Sequence, residues 1–227
     1  MVAFLSFMGG KAYYLAPAMF APLSAGAVAV ESFLGRFRAP WLRAAALVLL
    51  LISALPPLPI VVPLLSPEGL GAYMRSIGLV PEKAERSELG VLPQHFADRF
   101  GWEELTSITA AAWRSLNPEE QARTIIVTSN YGEAGALNYY GKALGLPPAT
   151  SQHNNFYLWG PGNPRATIVI AVGLSPAGLG EAFETVELRE SLTNPMAMPY
   201  EREHPVAICR GPKRPLSEEW PRGKHFI

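Results

Sequence analysis

Two uncharged apolar runs in the first third of the chain constrain its fold more than any other feature. The first covers residues 12–30, between Lys11 and Glu31. The second starts at Ala44, after Arg43, and runs to Pro67, before Glu68. An α-helix rises about 1.5 Å per residue, so about 20 apolar residues cross a hydrocarbon core of roughly 30 Å. Both runs meet that length and predict two transmembrane helices, over residues 12–30 and 44–65. The alternative is a pair of helices buried in a globular core. That core would have to house two uncharged runs in tandem, joined by an Arg-rich turn.

Charge supports the membrane reading. Residues 1–65 hold Lys11, Arg36, Arg38 and Arg43 against Glu31, a net of +3, and the neutral total leaves −3 for the remainder. Charged residues are 17% of the chain, below the roughly 25% of ordinary soluble domains. Neither part has the basic excess of a nucleic-acid-binding protein, so no nucleic acid is expected as a partner. The single cysteine, Cys209, leaves no partner for an internal disulfide.

The three arginines between the runs place that connection in the cytoplasm by the positive-inside rule. Lys11 and everything after the second run then lie on the extracytoplasmic side, in a multi-pass membrane protein. Ser24, Ala25, Gly26, Ala27 and Ala29 let another helix approach the first span closely. Pro17 and Pro22 predict a kink there, and Pro56, Pro57, Pro59 and Pro63 an irregular outer end to the second span. Val2 to Met8 reads as the tail of an earlier membrane helix. On this reading the chain is a fragment, and the remaining transmembrane helices of its parent are partners.

From residue 66 onward the composition is that of a soluble domain. Residues 68–77 read as a short helix, and 81–88 as a charged surface linker. Residues 100–116 carry Trp102, Leu105, Ile108, Ala112 and Trp113 at helical spacing. Residues 124–128 and 167–173 are β-branched runs and predict buried strands, with two more at 183–188 and 206–209. Short helices are expected at 177–183 and 215–220. Strands alternating with helices predict an extracytoplasmic, three-layer α/β domain over 66–227, with a largely parallel sheet.

Two segments of that domain stand out chemically. After the first strand comes Ser129-Asn130-Tyr131-Gly132-Glu133-Ala134-Gly135. Asn130 is placed to cap the following helix, and Glu133 holds the reciprocal capping-box position. The helix is expected to reach Tyr140 and stop near Gly141. Its N-terminus could instead receive an anion, with Gly132 and Gly135 allowing close approach. The spacing matches neither a dinucleotide fingerprint nor a P-loop. The second segment, Ser151-Gln152-His153-Asn154-Asn155-Phe156-Tyr157-Leu158-Trp159-Gly160-Pro161, mixes hydrogen-bonding side chains with aromatics. It reads either as packing or as a sugar-binding loop at a sheet edge, through His153, Asn154, Asn155 and Trp159. His95, His153, His204 and His225 lack metal-ligand spacing, so no metal or other cofactor is expected. No G-x-S-x-G nucleophile turn is present. The adjacent carboxylate pairs 103–104, 119–120 and 218–219 read as solvated faces or caps.

At the membrane surface, Lys11, Tyr13 and Tyr14 read either as interfacial anchors or as a cation and phenols facing a lipid-linked phosphate. The order of five segments, Gly10-Lys11-Ala12-Tyr13-Tyr14-Leu15-Ala16-Pro17, the two apolar runs, Asn130 to Ala136, His153 to Gly160, and Trp220-Pro221 to His225, resembles the C-terminal part of bacterial glycosyltransferase family 39 proteins. These are similar to dolichyl-phosphate-mannose protein mannosyltransferases and lipid A aminoarabinose transferases. The resemblance implies a polytopic GT-C enzyme that moves a sugar from a polyprenyl-phosphate carrier to an extracytoplasmic acceptor. It implies also that Lys11 and Tyr14, with Tyr13, lie near the carrier phosphate. The family's catalytic carboxylate sits in a loop with no counterpart here, so no catalytic residue is expected in this fragment. The alternative is a membrane-anchored module that binds glycan or protein without catalysis.

Overall fold

In the computed structural model, residues 15–79 and 92–226 are described, apart from positions 38, 164, 198, 200 and 201. The expected linker at 81–88 and the trio Lys11, Tyr13 and Tyr14 lie outside the described residues. The chain divides into two compact units, Met1–Gln94 and His95–Ile227.

In the first unit, helix α1 (Ala16–Leu34) has Pro17 in its first turn, where a missing N–H costs nothing. It runs on through Pro22 to Leu34, four residues beyond the expected end. None of its residues is buried, and Phe20, Leu23 and Val28 are 73%, 68% and 66% exposed. Among the described residues it is the one helix long and apolar enough to cross a membrane. Its 19 residues rise about 28 Å.

The expected second transmembrane helix over 44–65 does not form as one element. Helix α2 (Trp41–Ala54) has 14 residues, a rise of about 21 Å. Pro56 and Pro57 have no N–H to donate to the carbonyls of Ile52 and Ser53, so the ladder stops there. The four-residue α3 (Leu58–Val61) follows. Arg43, read as part of the connection, lies inside α2, whereas Arg36 lies in the turn. Helix α4 (Pro67–Ser76) forms where expected, because Ser66 Oγ accepts the Gly69 N–H at 3.2 Å and Pro67 pre-sets the first turn. Tyr73 donates its hydroxyl to the Pro56 carbonyl at 2.7 Å.

The short α5 (Gln94–Ala97) leads into the second unit. Its elements are α6 (Trp102–Arg114), α7 (Pro118–Gln121), β1 (Thr124–Thr128), α8 (Tyr131–Tyr140), β2 (Ala149–Ser151), β3 (Ile168–Val172), α9 (Pro176–Ala182), β4 (Phe183–Thr193), β5 (Glu203–Pro212) and α10 (Leu216–Glu219). The sheet order is β2-β1-β3-β5-β4. Side chains alternate along a strand, so the register sets two faces. Ile126, Ile170 and Ile208 align across β1, β3 and β5 on one face and are fully buried. Leu105, Ala112 and Leu116, from α6 and the residues after it, cover them together with Leu137 of α8. Ile125, Val169 and Cys209 align on the other face, which meets Leu179 of α9 and Leu216 of α10. Burial pushes the Cys209 thiol up to about 11, so it stays protonated and unreactive.

The expected largely parallel sheet is mixed. β2, β1 and β3 are parallel, but β5 runs antiparallel to both β3 and β4. A parallel return needs a crossover of a dozen residues or more. Only residues 194–202 separate β4 from β5, so the two close as a hairpin. β5 thereby inserts between β3 and β4. β4 extends well past the expected 183–188, because backbone pairing to β5 holds its polar residues. It is the sheet edge, and Glu184, Glu187, Arg189 and Glu190 lie exposed along it, a charge pattern that deters edge-to-edge association. The α7 turn is closed by a capping box, Glu120 N–H to Asn117 Oδ1 at 2.9 Å and Asn117 N–H to Glu120 Oε2 at 3.2 Å. Glu120 thus serves as a cap and also pairs with Arg210 at 3.0 Å.

Candidate functional site

The first candidate segment is a strand-to-helix junction at the carboxyl end of β1. Asn130 is extended (φ −136°, ψ 166°), and its Oδ1 accepts the Glu133 N–H at 2.9 Å. Glu133 Oε2 accepts the Asn130 N–H at 3.2 Å, closing the predicted capping box. The same carboxylate accepts the Ser129 N–H at 2.8 Å and the Ser129 hydroxyl at 3.0 Å. His204, at the start of β5, adds a contact from Nδ1 to Glu133 Oε1 at 2.8 Å. Glu133 is 1% exposed. A buried carboxylate is tolerated only when its oxygens are satisfied, and here strand, loop and a second strand satisfy them together.

The Ser129 and Asn130 amides bind the protein's own carboxylate, and Asn130 caps the helix as the capping-box reading expects. Gly173, just past β3, brings its backbone close to this carboxylate. Its φ is +70°, and a Cβ would run into Glu133 Oε1 and stand 2.8 Å from Ser129 Oγ. The helix ends at Tyr140 with Gly141 as its C-cap, as expected, and a 3-10 turn over Gly141–Leu144 follows.

His153 lies beside this cluster. Its ring is 4.9 Å from that of Tyr131 and stacks on His225 at 4.5 Å and 18°. The residue is 5% exposed, and neither ring nitrogen has a hydrogen-bond partner among the described residues. Its backbone N–H donates to Ser151 Oγ at 3.2 Å, and that hydroxyl donates to the Thr128 carbonyl at 3.0 Å. The expected sugar-binding loop is zipped to the chain's C-terminal segment. Asn154 N–H donates to the His225 carbonyl at 3.0 Å, and His225 N–H to the Gln152 carbonyl at 3.3 Å. Trp220 Nε1–H donates to the Tyr157 carbonyl at 3.1 Å, and the two rings stack at 6.1 Å. Lys224 Nζ is 5.3 Å from both the Tyr157 and Phe226 ring centres.

The structure therefore brings Asn130, Tyr131, Glu133 and His153 together. Asn154 joins through its backbone, in a left-handed conformation (φ 52°). Asn155 and Trp159 are exposed and stand outside the cluster, Trp159 packing its ring against Phe156 at 4.5 Å. Sequence reading missed His204 and His225 as members. Neither sits in a periodic pattern; β3–β5 pairing and the C-terminal return deliver them. Ser129 and His204 each contact the carboxylate directly. Among the described residues no three His, Cys, Asp or Glu side chains are grouped to hold a metal ion. The cluster pins together the end of β1, the start of α8 and the start of β5.

Desolvation holds His153 below the ordinary histidine value; His225 pushes the same way, and Glu133 opposes them. Above about pH 6.5 this side chain is neutral folded and unfolded, and the native site keeps its full stability. As pH falls from there through the lowered folded value, the unfolded chain takes up a proton that the native site refuses, and stability is lost. Melting temperature is expected to fall between about pH 7.5 and 5.5, and to fall less in His153→Phe, which keeps an aromatic ring in the stack. Equal losses in the two proteins would place the effect elsewhere.

Comparison with family models, with curated proteins and with solved structures finds no match to this chain.

Proposed function

We propose that this chain is part of a membrane glycosyltransferase that takes its sugar from a polyprenyl-phosphate carrier. The observation that carries the reading is α1, apolar, 19 residues long and without a buried side chain. It directly follows the Lys11-Ala12-Tyr13-Tyr14 motif. In this reading α2 and its proline-broken continuation make a second pass, and the Arg36 turn faces the cytoplasm. The α/β domain then stands on the extracytoplasmic side. Lys11, with Tyr13 and Tyr14, meets the carrier phosphate, where a cation stabilises charge on the leaving group. The general base comes from the parent's membrane domain.

The test is binding of radiolabelled undecaprenyl phosphate to the full chain in phosphatidylcholine nanodiscs. Saturable binding is expected, weakened about tenfold or more by Lys11→Ala, the worth of one charge-assisted contact. Binding no better than to empty nanodiscs would overturn the assignment, and unchanged affinity in the variant would remove Lys11 from it.

A second reading, a membrane-anchored glycan- or protein-binding module, is favoured by one observation. Tyr131 is 51% exposed beside His153, whose ring nitrogens have no hydrogen-bond partner among the described residues. That reading requires glycan binding that Tyr131→Ala abolishes and that no carrier lipid alters.

A further inference from the structure

The two faces of the sheet are covered unequally. On one, the 13-residue α6 and the 10-residue α8 lie over the aligned isoleucines. On the other, cover comes from the seven-residue α9 and the four-residue α10. They leave a cavity of about 440 Å³, within the range of roughly 300–1,000 Å³ typical of small-molecule sites. Its floor is Ile125, Val127 and Val169, and its walls include Leu179, Phe183 and Trp220. Helix α9 lines it with Leu179 and Ala182 and borders it at Gly178, where a Cβ meets nothing within 4 Å.

The mouth is cationic. Arg214 and Arg222 flank Glu219, and both guanidiniums share its Oε1, at 3.4 and 3.3 Å. The two side chains are 52% and 61% exposed, and exposed pairs of this kind hold weakly. An incoming anion can recruit both arginines at small cost. The strap that carries them is fixed from behind, where Gln152 Nε2 donates to the Trp220 carbonyl at 2.9 Å. An apolar chain suits the hollow, and one negative charge suits the mouth.

We propose that this cavity binds a single-chain amphiphile with an anionic head, its chain between α9 and the sheet and its head held by Arg214 and Arg222. The site uses none of the residues of the carrier-phosphate reading and goes beyond it. The probe is dodecyl phosphate carrying a diazirine near the chain end, added to the full chain in phosphatidylcholine nanodiscs. Crosslinks are expected in residues 174–183 and 216–220. Unlabelled alkyl phosphates should compete about fourfold better per added methylene from octyl to dodecyl. Dodecanol should compete about tenfold worse than dodecyl phosphate. Gly178→Phe should fill the hollow and abolish these crosslinks without lowering the melting temperature. Arg214→Ala/Arg222→Ala, a surface change that keeps the test open if Gly178→Phe fails to fold, should weaken competition about tenfold. Crosslinks confined to α1 and α2, persistence in Gly178→Phe, or dodecanol competing as well as the phosphate would each overturn the proposal.

Discussion

Replacing Glu133 by alanine is expected to lower the melting temperature by roughly 10–20 °C, a loss of about 3–5 kcal/mol. The carboxylate is 1% exposed and holds together three parts of the fold: the end of β1 through Ser129, the start of α8 through Asn130, and the start of β5 through His204. Alanine leaves the Ser129 and Asn130 amides and the His204 imidazole facing a hole. Each buried donor left unmatched costs about 1–3 kcal/mol, and the lost cap about 1 kcal/mol. Glu133→Gln keeps the shape but turns a donor toward other donors, so it should fall between the two. Thermal denaturation of the full chain, followed by near-ultraviolet circular dichroism, reads both variants. A shift below about 3 °C for alanine would mean that the cluster holds nothing together.

Gly173→Ala is expected to cost about 2–4 kcal/mol, by a route that runs through the same carboxylate. A left-handed backbone costs an alanine about 1–2 kcal/mol. The remainder comes from the collision of the new Cβ with Ser129 Oγ and with Glu133 Oε1, whose carboxylate is buried and held by its hydrogen bonds. Gly211 is the control. Its φ is +65°, and a Cβ there meets the carboxylate of Glu184, an exposed side chain that can swing away. Gly211→Ala should therefore show the backbone cost alone, about 1–2 kcal/mol. In the double variant Glu133→Ala/Gly173→Ala the collision partner is gone, so the two losses should sum to less than additive by about 1–2 kcal/mol. Strict additivity, read from denaturant midpoints, would show that Gly173 and Glu133 do not press on each other.

Local chemistry explains what was legible in this chain. The 124–128 strand, the Asn130–Glu133 capping box and the α6 stripe from Trp102 to Trp113 follow from neighbours within a few residues. So does the interruption of the second apolar run, since a proline removes its own N–H whatever surrounds it. The length of the uncharged run predicted the apolar α1, and its lack of any buried residue is the folded counterpart of that composition.

What only the tertiary structure decided is pairing across distance. Nothing in the residues 183–193 signals that their polar stretch continues a strand; the backbone of β5 imposes it. β2, three residues long, is too short to carry a pattern and exists because β1 offers it a parallel partner. His204 reaches Glu133 only because β5 returns antiparallel beside β3, and His225 covers His153 only because the chain's end comes back to the 152–154 backbone. Helix caps and apolar runs are written in spacing along the chain, whereas a buried carboxylate selects its partners by what the folded backbone brings within hydrogen-bond reach.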